Sequence, residues 1–196
     1  MSGHPETNQT PTPARIANLA NVLTLLRLLL VPIFLLALFY AGGHHASARV
    51  VAWAIFAVAC ITDRFDGQLA RNYGMATEFG AFVDPVADKT LIGSALIGLS
   101  MLGELPWWVT VVIMARELGV TVLRLAVIRR GVIPASWGGK VKTFVQAVAI
   151  GLFVLPLSGL LHTVAVVVMG VAIVLTIVTG IDYVASAVRG IRQTAG

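Results

Sequence analysis

Four aspartates fall within one short stretch, DRFDGQLARNYGMATEFGAFVDPVADK, which runs from Asp63 to Lys89. Asp63 and Asp66 are three residues apart and Asp84 and Asp88 four apart, so each pair shares a face if its segment is helical. Carboxylate oxygens gathered at one level are hard ligands suited to divalent cations. Two such ions about 3.5–4 Å apart form a clamp for in-line displacement at phosphorus. Gly67 and Ala70 continue the face of the first pair and leave the helix bare, letting a flat or bulky group approach. Arg71 then offers a planar fork suited to a diphosphate. The plainer readings are a structural ion-pair network and small-residue helix packing. A double acidic pair bracketing Gly67, Ala70 and Arg71 favours metal and phosphate chemistry over both.

The rest of the chain must hold this charge in an apolar setting. Of 196 residues, 58% are hydrophobic and 12% charged, with a mean hydropathy of +0.90. Soluble domains run about 45–50% apolar and about 25% charged, so the excess apolar surface is expected to face lipid. The net charge is +5, but the basic residues lie between apolar spans rather than on a polar domain. That pattern points to anionic lipid or phosphate-bearing substrates and away from nucleic acid. Cys60 is the single cysteine, which excludes an intramolecular disulfide, and it reads as a packing residue. Residues 1–14 are polar and rich in Pro and Thr, the composition of a disordered tail, without the features of a signal peptide. Residues 15–196 are expected to form one membrane domain.

A bilayer core of about 30 Å needs roughly 20 helical residues. Apolar runs begin near Leu19, Val50, Ala81, Pro106, Val141 and Thr163, predicting an all-α bundle of six transmembrane helices. The breaks carry turn chemistry at Gly42-Gly43, Gly74, Gly103 with Pro106, Gly138-Gly139 and Ser158-Gly159. Val50 to Thr62 gives only ~20 Å of helix, and Leu91 to Gly103 is no longer. Both helices must therefore continue into the acidic segment, with Pro85 either starting the third helix behind an Asp84 cap or kinking it. An intramembrane aspartate costs about 2.5–3.5 kcal/mol, and four together roughly 10–14 kcal/mol, as much as a domain's whole stability. Cations must offset that penalty.

Arg15, Arg64, Arg71, Arg129, Arg130, Lys140, Lys142, Arg189 and Arg192 fall on one set of helix ends. The opposite loops hold Arg49, His44, His45 and Glu104. The positive-inside rule then predicts both termini in the cytoplasm of a multi-pass inner-membrane protein. Trp107 and Trp108 read as an outer interfacial belt and Trp137 as an inner one.

The pattern Asp63-x2-Asp66-Gly67-x2-Ala70-Arg71-x8-Gly80-x3-Asp84-x3-Asp88 resembles the signature of the CDP-alcohol phosphotransferase family. NLANVLTLLRLLLVPIF, the later Ala115-Arg116-Glu117 and GGKVKT from Gly138 extend the likeness over roughly residues 16–190. The chain departs from the usual pattern at Ala20, where proline is common, and at Arg64, where an aromatic residue is frequent; neither position is in the signature. The resemblance implies six helices around a polar cavity open to the cytoplasm, commonly in a homodimer. It implies that Asp63, Asp66, Asp84 and Asp88 hold two Mg²⁺ or Mn²⁺ ions, with Asp88 also the catalytic base. Gly67, Ala70 and Arg71 are implied to meet the cytidine diphosphate moiety of CDP-diacylglycerol. Thr77, Asn21 and Thr24 are expected to assist.

The expected reaction moves a phosphatidyl group from CDP-diacylglycerol to sn-glycerol 3-phosphate, giving phosphatidylglycerophosphate and CMP. Cardiolipin synthesis and phosphatidylinositol phosphate synthesis share the chemistry. An ion-coupled transporter is the reading from another class, but it expects acids near the midplane and internal repeats. The acceptor's dianionic phosphate needs cations beside the acidic site, and the candidates are Arg116, Arg124, Lys140 and Lys142. Arg116 lies deep in the fourth helix and is expected to face the interior. Glu117 projects roughly 100° away from it and reads as a poor partner.

Overall fold

A computed structural model describes residues 13–72, 78–127 and 137–194, with side chains described for 25–62, 89–123, 139 and 141–186. The expected tail lies outside the described residues up to Pro13, where the first helix begins. The described residues form six α-helices: α1 (Pro13–Phe39), α2 (Ala46–Asn72), α3 (Glu78–Met101), α4 (Trp107–Val127), α5 (Trp137–Val154) and α6 (Gly159–Thr194). Among the described residues there is no strand. Two stretches, Leu25–Gly43 and Gly159–Ser186, have the length and apolarity to cross a membrane. Among the described residues, Ala46–Thr62, Lys89–Met101 and Val141–Val154 are further apolar helical stretches.

Each helix divides into a buried and an outward stripe at helical spacing. On α6, Ala165, Met169, Ala172 and Thr176 are buried, while Leu160, Val164, Val167, Val171, Val174, Val178 and Ile181 are exposed. The small alanines let α6 approach its neighbours closely; α5 and α4 pack against it. On α1 the buried stripe is Arg27, Val31, Phe34 and Leu38, with Leu25, Leu29, Ile33 and Leu36 turned outward. Soluble monomers rarely show contiguous apolar patches beyond a few hundred Å², so outward stripes of this extent fit association with a membrane.

The central helix is α3, which packs against α1, α2, α4 and α5 and buries Leu91, Ile92, Ala95, Leu96 and Leu99. Ser100 and Thr110 pair their hydroxyls at 2.7 Å, and Thr110 Oγ1 lies 3.2 Å from the Leu96 carbonyl. That buried hydroxyl chain joins α3 to α4 where two apolar helices would otherwise slide.

One end of the bundle is tied by Arg49, in the first turn of α2. It is 3% exposed, yet its guanidinium is well supplied with acceptors. Nε donates to the Val154 carbonyl at 2.7 Å and Nη2 to the Phe153 carbonyl at 2.7 Å. Nη1 donates to the Gly43 carbonyl at 3.2 Å and to Glu104 Oε1 at 2.7 Å. The α1–α2 turn, the α3–α4 turn and the end of α5 therefore meet at one residue, and the helices alternate in direction. Gly43 sits there with φ +79°, and an added Cβ would come within 2.6 Å of the Leu102 side chain. Only glycine fits both demands.

One open choice about boundaries is resolved and one expectation is corrected. Pro85 lies inside α3, past its first turn, so of the two readings the one in which it starts the helix behind an Asp84 cap falls away; the helix already starts at Glu78. Gly138 and Gly139 do not break the chain before the fifth helix but lie in its first turn, where four amides lack intrahelical carbonyl partners in any case.

Candidate active site

The end of the bundle opposite Arg49 holds the acidic segment. The backbone of α2 continues through Asp63, Asp66, Gly67, Ala70 and Arg71, and that of α3 through Asp84 and Asp88. From Arg49 to Asp63 the helix rises about 21 Å, which separates the two ends by most of an apolar core. Asn21 and Thr24 belong to α1, Arg124 to α4 and Lys140 to α5; their side chains, like those of the four aspartates, are outside the described set. Thr77 lies outside the described residues.

Next to Asp88, Lys89 begins the described part of the site. Its Nζ donates to Glu117 Oε2 at 3.2 Å. Glu117 Oε1 takes the Lys142 ammonium and, at 3.3 Å, Nη1 of Arg116. One carboxylate thus joins cations from α3, α4 and α5. Arg116 also donates through Nη2 to Thr179 Oγ1 at 3.0 Å, while the Thr179 hydroxyl itself donates to the Leu175 carbonyl at 2.6 Å. That bond adds α6 to the cluster. The Arg116 stem runs beside Gly180, where an added Cβ would sit 3.2 Å from its Cγ.

The expectation that Glu117 is a poor partner for Arg116 is therefore corrected. Adjacent side chains do diverge at their Cβ atoms, but both are long, and Glu117 is drawn into place by two lysines from other helices. Of the four cations expected to serve the acceptor, Arg116 and Lys142 are described, and both are engaged by Glu117. Lys142 is only 2% exposed, which is tolerable for an ammonium only when it is paired.

A small cavity of about 40 Å³ lies among Lys89, Ile92, Met114, Glu117, Lys142 and Gln146. Gln146 follows Lys142 by one helical turn and is 3% exposed, and its Oε1 takes no hydrogen bond from the described protein. Leaving a buried amide oxygen unmatched costs about 1–3 kcal/mol, so the cavity suits a hydrogen-bond donor. A larger apolar groove lies between α4 and α6, lined by Val120, Ile177, Ile181, Val184 and the Arg116 stem.

Two groups, one partly buried and one buried, escaped the sequence reading. Glu117 was considered only against its neighbour in sequence. Arg27, one turn beyond Thr24 on α1, is 3% exposed; an arginine inside the run LLRLLL is itself a signal, since intramembrane cations face the interior.

The fold and site define a helical bundle with buried charge at both ends and paired aspartates on two adjacent helices. Residues 17–178 match the model of the CDP-alcohol phosphatidyltransferase family, and the chain belongs to that family. It is 81% identical to a probable phosphatidylglycerophosphate synthase of Mycobacterium tuberculosis, over 100% of this chain and 95% of that protein. It is 39% identical to the CDP-diacylglycerol–glycerol-3-phosphate 3-phosphatidyltransferase of Rickettsia felis, over 85% of this chain and 93% of the relative. The enzyme of the same name from Bacillus subtilis is 36% identical, with the same coverage.

Proposed function

We propose that this protein transfers a phosphatidyl group from CDP-diacylglycerol to sn-glycerol 3-phosphate, releasing CMP and phosphatidylglycerophosphate. The observation that carries the reading is the likeness to relatives named for that transfer, across 85% of the chain, with the whole aspartate signature inside the family match. The cation cluster that begins at Lys89, directly after Asp88, supplies what an anionic acceptor needs.

All six helices span the inner membrane as one domain over residues 15–196, in a homodimer with both termini cytoplasmic. A polar cavity opens to the cytoplasm. A lipid donor and a water-soluble acceptor meet most readily at that boundary. The gathering of the α1–α2 and α3–α4 turns with the end of α5 around Arg49 supports the alternating topology.

Asp63, Asp66, Asp84 and Asp88 would hold two Mg²⁺ or Mn²⁺ ions. Four carboxylates on the facing ends of two adjacent helices are a donor set of hard oxygens that fits these ions. When bound, the ions supply polarisation of the phosphoryl oxygens and stabilise the departing CMP. Arg71 orients the donor diphosphate with a bidentate fork, and Gly67 and Ala70 leave room for it to lie against α2. Asn21, Thr24 and Thr77 complete the donor site. Asp88 accepts the proton of the acceptor hydroxyl as that oxygen bonds to the phosphatidyl phosphorus and the bond to the CMP oxygen breaks. Arg116, Arg124, Lys140 and Lys142 form the cationic side that receives the acceptor's phosphate.

Purified protein given CDP-diacylglycerol and one candidate acceptor at a time tests the reading. Phosphatidylglycerophosphate and CMP should form with glycerol 3-phosphate. Turnover only with phosphatidylglycerol or an inositol phosphate would assign a different member of the family, and no CMP release with any acceptor would remove the transferase reading.

A further inference from the structure

We propose, on the transferase reading above, that Glu117 is a positioning residue for the acceptor: its carboxylate sets the spacing of Lys89, Arg116 and Lys142 so that they meet glycerol 3-phosphate in one arrangement. Lys89 lies on α3 beside Asp88, Arg116 on α4 and Lys142 in the opening turns of α5. Cations from three helices repel one another in an apolar bundle. Glu117 divides its two oxygens among them, Oε2 to Lys89 and Oε1 to Lys142 and Arg116. Thr179 ties Arg116, the neighbour of Glu117 in sequence, to α6, while Thr121 Oγ1 donates to the backbone carbonyl of Glu117 within α4 at 2.7 Å.

A second observation points to a ligand at this place. Gln146 lines the same cavity as Lys89, Glu117 and Lys142, and its buried Oε1 has no donor from the described protein. At about 40 Å³ the cavity holds a single small donor group, such as one hydroxyl, beside the two lysines.

The charge of Glu117 makes the test two-sided. A carboxylate near a dianionic phosphate repels it, so if bulk charge were all that mattered, neutralising Glu117 would lower the acceptor KM. If spacing matters, the same change lets the cations part and raises it. Glu117→Gln should raise the KM for glycerol 3-phosphate by roughly 10-fold or more, by analogy with the loss when a group that orients a metal ligand from the outer shell is removed. The KM for CDP-diacylglycerol should stay within about two-fold, since the donor's diphosphate meets Arg71. Glu117→Asp keeps the charge and draws it back by one methylene, and should recover part of the acceptor affinity.

Thermal unfolding in detergent should accompany the kinetics, because removing one partner of a buried ion cluster lowers stability. Should Glu117→Gln fail to fold, the decision passes to Glu117→Asp, whose acceptor KM should still rise above that of the unaltered protein. An unchanged or lowered acceptor KM in the folded variant overturns the positioning role. Lys142→Met, measured alongside, separates this from the acceptor site itself. If Lys142→Met raises the acceptor KM and the Glu117 variant does not, only the positioning role fails. If neither variant moves it, the acceptor lies elsewhere and both readings fail together.

Discussion

Arg49 donates through Nε to the carbonyl oxygen of Val154 at 2.7 Å, so a cation in the first turn of α2 caps the C-terminal end of α5. The last carbonyls of a helix have no intrahelical donor and carry the negative end of its dipole. A buried guanidinium with several rigid donors is well suited to both. Arg49→Met keeps much of the side chain's bulk and strips those bonds from Val154, Phe153, Gly43 and Glu104. It should cost about 3–5 kcal/mol of stability, read as an early thermal melt in detergent. Glu104, with 35% of its side chain exposed, should matter less, and Glu104→Gln should cost only ~1 kcal/mol. Equal melting of Arg49→Met and the unaltered protein would remove the clasp as a source of stability.

Asp88 closes the acidic face and immediately precedes Lys89, which is held by Glu117. Asp88→Asn should leave the bundle folded and donor binding largely intact while turnover falls by roughly 10²–10⁴, the usual worth of a positioned base. CMP release is the measurement. Near-normal release by a correctly folded variant would place the base elsewhere.

Divalent metal should be required. Chelation ought to abolish CMP release, and added Mg²⁺ or Mn²⁺ ought to restore it. Direct Mn²⁺ binding should approach two ions per chain and fall when Asp63 or Asp84 is changed to Asn. Full activity in a chelated, metal-free preparation would contradict the metal reading, as would binding indifferent to both substitutions.

The end of the bundle tied by Arg49 should face away from the cytoplasm. His44 is exposed there, so His44→Cys in a Cys60→Ser background should react with an impermeant thiol reagent added from outside. Labelling only from the cytoplasmic side would invert the topology.

Much of this molecule is legible in its sequence because the signals are local. Hydrophobic run length and turn residues give the six helices within a few residues, since helix formation depends on near neighbours and on apolar burial. The too-short apolar parts of the second and third helices already require both to run into the acidic segment, as α2 and α3 do. The aspartate spacing is likewise a property of single helices, and it is where the resemblance to the family is read; the match over residues 17–178 shows the membership. What the sequence misjudged, it misjudged through locality. Gly138 and Gly139 suggested a break, although the fifth helix had already begun at Trp137, and Glu117 was weighed only against the residue beside it.

Arg49 and Glu117 show what tertiary structure alone decides. Arg49 reads in the sequence as an outer-loop charge, yet it bonds Glu104, Phe153 and Val154. Glu117 takes Lys89 and Lys142 from other helices. Which charges meet depends on how far each helix is rotated and where it crosses its neighbours. Those quantities come from the packing of Ala95, Leu96, Ile113 and Ala149 in the shared core. The sequence determined the helices and the chemistry on each; the packing determined which cations share a carboxylate, because side chains distant along the chain are brought within bonding reach only when the whole bundle closes.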